Sequence, residues 1–286
     1  MKLLYVRVCV LYFTVLVSTE CFSGSPALVL ASKFDVNKHP LKDYFISEKL
    51  DGVRAYWNGD YLVSRGGHRF AAPLWFIQEL PPEPMDGELW GGRQTFDVTS
   101  GVVRRKNADM GWAQVRFMVF ELPQAGSVFS DRYRQMQLLE QQFPSQYWAV
   151  VKQKLAPAAV ADLQRQLLQL DAEGGEGFML KRKNSQYRAG PSDDLLKVKL
   201  QHDADAVVLS HHQGKGRLLG MMGSISVRTP EGVTFRIGSG FSDKQRRRPP
   251  PIGATIRYKY NGLTLGGKPR FPVFWRVRND DFGLSE

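Results

Sequence analysis

At 286 residues, with 43% hydrophobic and 23% charged residues, the chain is long enough for one large domain or two modest ones, and its makeup excludes a disordered or fibrous class. A formal net charge of +11 predicts an anionic partner, either nucleic acid or an anionic membrane surface. The charge is uneven: residues 203–286 hold fourteen Lys or Arg against seven Asp or Glu.

Residues 1–31 read as a secretory signal and leader. Lys2 and Arg7 precede an uncharged run from Val8 to Val17, about the length of a signal core and short for a bilayer span. The cleavage point is not marked, since Val29-Leu30-Ala31 ends in a small residue but lies far from the apolar run. Glu20 before Cys21 is a poor match to a lipoprotein site. Both cysteines, Cys9 and Cys21, fall in this leader, so the mature chain is expected to hold no disulfide or thiolate metal site. The expected location is periplasmic or secreted, with no stable membrane association after cleavage.

Next, Arg54 to Trp57 and Tyr61 to Ser64 flank Asn58-Gly59-Asp60, the pattern of a hairpin. Helical patterns follow at Leu74 to Leu80, Asp131 to Phe143 and Ala158 to Glu173, the last with Val160, Leu163, Leu167 and Leu170 on one face for core packing. Val115 to Leu122 and Gly177 to Arg182 read as buried strands. Past about residue 202 the texture changes to short β-rich runs between glycines: Ala206 to Ser210, Gly223 to Arg228, Val233 to Ile237, Thr255 to Tyr260 and Val273 to Val277. Five such runs in a basic tail predict a small barrel of OB type, with a boundary near Leu200 to Asp203.

The chemistry begins at Lys49-Leu50-Asp51-Gly52-Val53-Arg54. A lysine is a poor nucleophile while protonated, and nearby cations or desolvation activate it. Here it stands at a strand end before an Asp-Gly turn, with Arg54 placed to meet phosphate. Ser64-Arg65-Gly66-Gly67 sets an arginine beside flexible backbone, suited to a closely approaching anion. Asp86-Gly87-Glu88-Leu89 supplies a carboxylate after a turn. Phe117 to Glu121 ends a strand with Phe120, a ring that can stack on a base. Glu176-Gly177-Phe178-Met179-Leu180-Lys181 puts a carboxylate at a strand entry, and Lys197 and Lys199 alternate onto one side of a strand. Each residue alone fits core or solvent-face duty. Together they make a pocket of cations, carboxylates and a ring, which nucleotidyl transfer needs.

This ordered set resembles the covalent nucleotidyltransferase superfamily of ATP-dependent DNA ligases, RNA ligases and mRNA capping enzymes. The tail sharpens the likeness: Gly223-Ser224-Ile225, Ile237-Gly238-Ser239-Gly240-Phe241-Ser242-Asp243 and Pro269-Arg270-Phe271-Pro272-Val273-Phe274 look like the OB domain of small DNA ligases. Length and leader look most like the minimal bacterial E-type ligases. The resemblance implies an α+β chain: a nucleotidyltransferase (adenylation) domain of antiparallel sheets and helices over residues 32–202, then a small OB-fold β-barrel over 203–286.

Its implied roles are these. Lys49 attacks the α-phosphate of ATP and becomes lysyl-AMP, and AMP then passes to the 5′-phosphate of a nick in duplex DNA, which the 3′-hydroxyl seals. Asp51 and Arg54 act near the nick, with Arg54 on the AMP side, and Arg65 engages the 5′-phosphate. Glu88 binds the ribose, Phe120 stacks on adenine, and Lys197 and Lys199 hold phosphates. Glu176, with Glu88, offers carboxylates to Mg²⁺ or Mn²⁺. Ser47 or Glu48 lies at the adenine edge, and the sequence does not choose between them. Lys215, Arg217, Lys244, Arg246, Arg247 and Arg248 are expected to contact the DNA backbone, and the protein to act as a monomer.

Two departures stand out. Arg276-Val277-Arg278-Asn279-Asp280-Asp281 lacks the Asp-Lys pair that longer ligases carry in the C-terminal motif, so Arg276 or Arg278 is expected to substitute or a metal to carry more of the first step. Pro191 stands where a basic residue is expected. The competing readings are an RNA ligase or capping-type nucleotidyltransferase, and a catalytically silent exported DNA-binding protein. The intact Lys49, Glu88, Glu176, Lys197 and Lys199 argue against the last.

Overall fold

The computed structural model describes residues 24–123, 125–264 and 266–278, so the apolar run of the leader and the residues Asn279, Asp280 and Asp281 lie outside the described residues. In chain order the first part runs β1 (Val29–Lys33), β2 (Tyr44–Glu48), β3 (Val53–Trp57), β4 (Leu62–Ser64), α1 (Leu74–Ile77), β5 (Met85–Trp90), α2 (Phe96–Val103) and β6 (Arg116–Glu121). It continues with α3 (Phe129–Gln142), β7 (Trp148–Val150), β8 (Lys154–Leu155), α4 (Val160–Ala172), β9 (Phe178–Arg182) and β10 (Gly190–Val198). Two five-stranded sheets result, one ordered β1-β10-β9-β2-β8 and the other β4-β3-β5-β6-β7. Most pairings are antiparallel, while β1 on β10 and β7 on β6 are parallel.

The hairpin forms where expected, with Asn58 Oδ1 accepting from the Asp60 and Tyr61 backbone N–H groups at 3.0 and 2.8 Å. The apolar stripe of α4 buries Leu163, Leu167 and Leu170, and Leu163 joins Leu41, Tyr44, Ile46, Leu180 and Leu196 behind the first sheet. The second sheet buries Leu89, Phe117 and Val119 against Phe76, Val102, Val103, Trp112 and Met136. Two local readings are corrected, and a third element was not read from the sequence. The helix expected over 74–80 is only four residues long. Asp86-Gly87 is no turn but part of β5, paired on both sides. Phe96–Val103 is a helix that its β-branched and glycine content disfavours, formed because it buries Thr99, Ser100, Val102 and Val103.

The leader boundary also moves. Leu28 and Val29 are buried, and Val29–Lys33 pairs along β10, so the folded domain begins upstream of residue 32. A cut after Ala31 would remove most of an edge strand. Periodicity hid this strand because a parallel partner lies more than 150 residues away in sequence and gives no local signal.

The second part holds β11 (His202–Gln213), β12 (Met222–Arg228), β13 (Thr234–Ile237), α5 (Asp243–Arg247), β14 (Thr255–Tyr260) and β15 (Val273–Val277). The sheet order is β13-β12-β11-β14-β15, and a parallel bridge between Ser239 and Val273 draws the chain after β13 onto β15, bending the sheet toward closure as an OB barrel requires. Ala206, Val208, Ile225, Val227, Ile237, Ile256, Tyr258 and Phe274 fill its interior. The five expected strands are present, β11 being longer than its apolar centre suggests.

Candidate active site

Lys49 stands one residue past β2, its backbone N–H donating to the Gly177 carbonyl at 2.8 Å. Gly177 takes φ +143, and a Cβ there would strike the Val198 carbonyl, so strand entry, lysine and the end of β10 meet only over a glycine. Gly52 acts differently from the expected tight turn. Its φ is ordinary, but a Cβ would collide with the Leu89 carbonyl oxygen and lie 2.9 Å from the Glu88 Cγ. The chain after Lys49 thus passes hard against β5, which brings Glu88 to the lysine.

Glu176 joins two lysines. Its Oε2 accepts from Lys49 Nζ and its Oε1 from Lys199 Nζ. Burial and the neighbouring Lys49 charge hold Lys199 below the ordinary lysine value, against the pull of Glu176. Arg54 donates to Asp86 through Nε at 3.0 Å and a terminal nitrogen at 2.6 Å, and its guanidinium lies 5.5 Å from the centre of the Phe120 ring. Glu88 is paired across from Arg54. Burial pushes its carboxyl up to about 8, although Lys49 and Arg54 pull the other way.

Between the two sheets lies a cavity of about 420 Å³, the size of a small-molecule site. Lys49, Arg54, Arg65, Glu88, Phe120 and Lys197 all line it, as does Ser47. Arg65 and Lys197 are exposed at its rim. Val29, Leu30 and Ala31 line it too, so residues read as leader form part of the pocket wall. Lys199 is not among the lining residues and reaches the site through Glu176. Glu48 lines the cavity as well, but both of its carboxylate oxygens accept from Arg93, at 2.8 and 2.9 Å, and Arg93 also holds Glu173 at 2.9 Å.

The sequence reading missed several residues of this site. Glu121, at the end of β6, is buried with Arg132 and Lys181. Arg132 donates to it at 2.6 and 3.0 Å and Lys181 lies at 2.7 Å. Burial pushes the Glu121 carboxyl up, and the two cations together bring it below its ordinary value. Met179 and Lys181 were within reach, lying in the same hexapeptide as Glu176. Arg93, Gln153 and the partnership of Asp51 carried no local signal. Asp51 is bound by Arg270 of the second domain, one nitrogen at 3.0 Å from Oδ1 and another on Oδ2, and the Arg270 guanidinium lies 4.8 Å from the Phe96 ring.

The basic run divides. Arg246 is buried and donates to the carbonyls of Met222, Gly223 and Gly238 at 3.1, 2.8 and 2.8 Å, so it is turned inward to brace the barrel where a solvent-facing DNA contact was expected. Lys215, Lys244, Arg247 and Arg248 are exposed, and Arg217 is exposed but paired with Asp243 at 3.1 Å. Of the two C-terminal arginines, Arg278 donates to Asp205, and the exposed Arg276 lies 5.5 Å from the Trp275 ring. Among the described residues no group of three or more His, Cys, Asp or Glu is placed to hold a metal.

A two-sheet domain with a lysine, a carboxylate and a ring around a nucleotide-sized cavity, followed by a basic OB barrel, has the build of a nucleotidyltransferase of the ligase type. Comparison with known proteins narrows this. Residues 213–278 match the family model of the DNA ligase OB-like domain. A DNA ligase of Haemophilus influenzae is 35% identical over 274 residues, spanning 96% of this chain and 99% of that protein. A solved structure of a Lig E DNA ligase, described as binding DNA with a minimal scaffold, superposes with a TM-score of 0.85 at 43% identity, over 88% of this chain and 99% of that one. The Chlorella virus DNA ligase-adenylate shares the fold at a TM-score of 0.52 and 23% identity, over 88% of this chain and 99% of that one. The chain belongs to the ATP-dependent DNA ligases, in their minimal E-type branch.

Proposed function

We propose that this ligase seals nicks in duplex DNA through lysyl-AMP on Lys49. The observation that carries the reading is the placement of Lys49 and Lys199 on the Glu176 carboxylate, beside a cavity lined by Arg54, Glu88, Phe120 and Lys197. In the first step Lys49 Nζ attacks the α-phosphorus of ATP, the bond to the bridging oxygen breaks, and pyrophosphate leaves while the amine gives up a proton. The 5′-phosphate of the nick then attacks the same phosphorus and displaces Lys49. Last, the 3′-hydroxyl attacks the activated 5′-phosphorus, and AMP leaves. Splitting the reaction replaces a poor oxyanion leaving group with AMP.

Phe120 offers a stacking face, Glu88 an acceptor or, protonated, a donor for the ribose, and the cations Arg54, Lys197 and Lys199 meet phosphate charge. Arg65, exposed at the rim, suits the incoming 5′-phosphate. Mg²⁺ commonly binds through one or two carboxylates plus substrate phosphates, so Glu176 and Glu88 fit it without a dedicated cage, and bound there it would neutralise phosphoryl charge. The exposed Lys215, Lys244, Arg247 and Arg248 are assigned to the DNA backbone. The N-terminal pattern supports export, with cleavage ahead of Leu28 because Leu28 and Val29 are part of the fold. No helix among the described residues is long and apolar enough to cross a membrane. We assign a monomer acting on nicked duplex.

The test is sealing of a labelled nicked duplex. Wild type with ATP and Mg²⁺ is expected to join it, and Lys49→Ala to fail on the 5′-phosphate nick while still joining a pre-adenylated nick. Sealing of the phosphate nick by Lys49→Ala would contradict the mechanism. Joining of nicked RNA in preference to DNA would overturn the substrate.

A further inference from the structure

The wall of the nucleotide cavity is built in rows across the first sheet. Ser47 is paired with Met179 on one side. On the other side Ile46 pairs with Lys154 and Phe45 with Leu155, so the same antiparallel register carried one residue further sets Gln153 opposite Ser47. Met179, Ser47 and Gln153 therefore form one row, two residues along β2 from Lys49, and all three line the cavity. Residues two apart on a strand are about 7 Å apart. A base attached to a phosphate at Lys49 reaches that row.

Gln153 also has a distinct place in the fold. β7 belongs to the second sheet and β8 to the first, so Val151 to Gln153 cross from one sheet to the other and close this side of the cavity. The crossing is fixed: the Val151 N–H donates to the Val119 carbonyl at 2.8 Å, and the Gln153 N–H donates to the Tyr133 hydroxyl at 3.0 Å. The side-chain amide nitrogen faces the Val151 carbonyl at 3.5 Å. The amide oxygen Oε1 is buried and has no hydrogen-bond partner among the described residues. A buried acceptor left without a donor is costly and calls for a partner. Glu48, the polar cavity-lining residue next to Ser47, has both carboxylate oxygens taken up by Arg93.

We infer that Gln153 selects the base: its Oε1 accepts a hydrogen bond from the exocyclic 6-amino group of adenine, beside Ser47. The assignment rests on the reading that the cavity holds the adenylate of ATP. Adenine presents an amino donor at this edge, whereas guanine presents the O6 acceptor, which would face Oε1 acceptor to acceptor. The enzyme thus rejects GTP by an unfavourable contact and analogues lacking the amino group by an unmet acceptor.

The probe is purine riboside 5′-triphosphate, ATP with hydrogen in place of the 6-amino group. Binding of ATP and of the probe is measured by calorimetry on Lys49→Ala protein, which forms no adduct, and adduct formation is followed by mass in proteins that keep Lys49. ATP is expected to bind the Lys49→Ala protein about tenfold or more tightly than the probe, as one buried hydrogen bond implies. Adding Gln153→Met, which keeps the side-chain volume, is expected to bring the two within about twofold by weakening ATP alone. Adding Gln153→Glu, which keeps an acceptor, is expected to retain the preference for ATP. Equal weakening of both nucleotides by Gln153→Met, or an unchanged preference, would overturn the assignment of Gln153 while leaving the adenylate reading intact. Absence of ATP binding to the Lys49→Ala protein, together with absence of an adduct in wild type, would overturn the adenylate reading and this inference with it.

Discussion

At the residue scale, the site concentrates ionisable groups whose charge is set by burial and by their neighbours. Glu88 is the clearest. Burial outweighs the attraction of Lys49 and Arg54 and pushes its carboxyl up to about 8. The ordinary value is 4.5, so between about 4.5 and 8 the folded state holds a proton that the unfolded state has released. Stability linked to Glu88 is therefore fully present below about 4.5 and is lost as pH rises through about 8. Glu88→Gln should flatten this slope: its melting temperature should gain on wild type as pH rises from about 5 to about 8, while its ATP binding weakens. Parallel melting curves across that range would show that Glu88 is ionised in the folded protein. The same residue explains why Gly52 and Glu88 act as a unit, since any side chain at Gly52 would push into Glu88 and the strand that carries it.

At the element scale, what was legible in the sequence depended on how far away the partner lies. The lysine hexapeptide, the Phe120 strand, the α4 stripe and the five barrel strands were readable because their signals are local: a short motif, a period, a turn. β1 was not, because its partner β10 is distant and the segment adjoins an apolar leader. Arg93 and Gln153 were not, and Arg270 was legible only as part of a barrel motif and not as the partner of Asp51, because each gains its role from a residue tens to hundreds of positions away. The basic run is a mixed case. Ser242 to Gln245 reads as a capping box, and the structure contains both of its hydrogen bonds. That signal marks the start of α5 and could have warned that one of the arginines after it turns inward. Arg246→Ala should cost about 2 kcal/mol or more, since it leaves buried carbonyls without a donor. Arg247→Ala and Arg248→Ala should each leave stability within about 0.5 kcal/mol, while lowering the salt slope of DNA binding by about 0.9 for each phosphate no longer neutralised. Melting curves and binding titrations over salt separate these outcomes. An unchanged salt slope in both exposed variants would remove α5 from the DNA surface.

At the scale of the whole molecule, two domains share one working surface. The first holds the cavity beside Lys49. The second brings positive charge, with fourteen Lys or Arg in residues 203–286, and sends Arg270 onto Asp51, two residues from Lys49. A second tie, His202 to Asp171 at 3.0 Å, lies where β11 leaves the first domain. Motif and barrel are thus one assembly, and the family likeness over nearly the whole chain agrees with that. The central claim is that Lys49 carries the transferred nucleotide. It is tested most directly by the intact mass of the protein, first stripped of any bound AMP with pyrophosphate, after incubation with ATP and Mg²⁺ beside Lys49→Ala. The account predicts a gain of one AMP in wild type and none in the variant. A gain in both, or in neither, would contradict it.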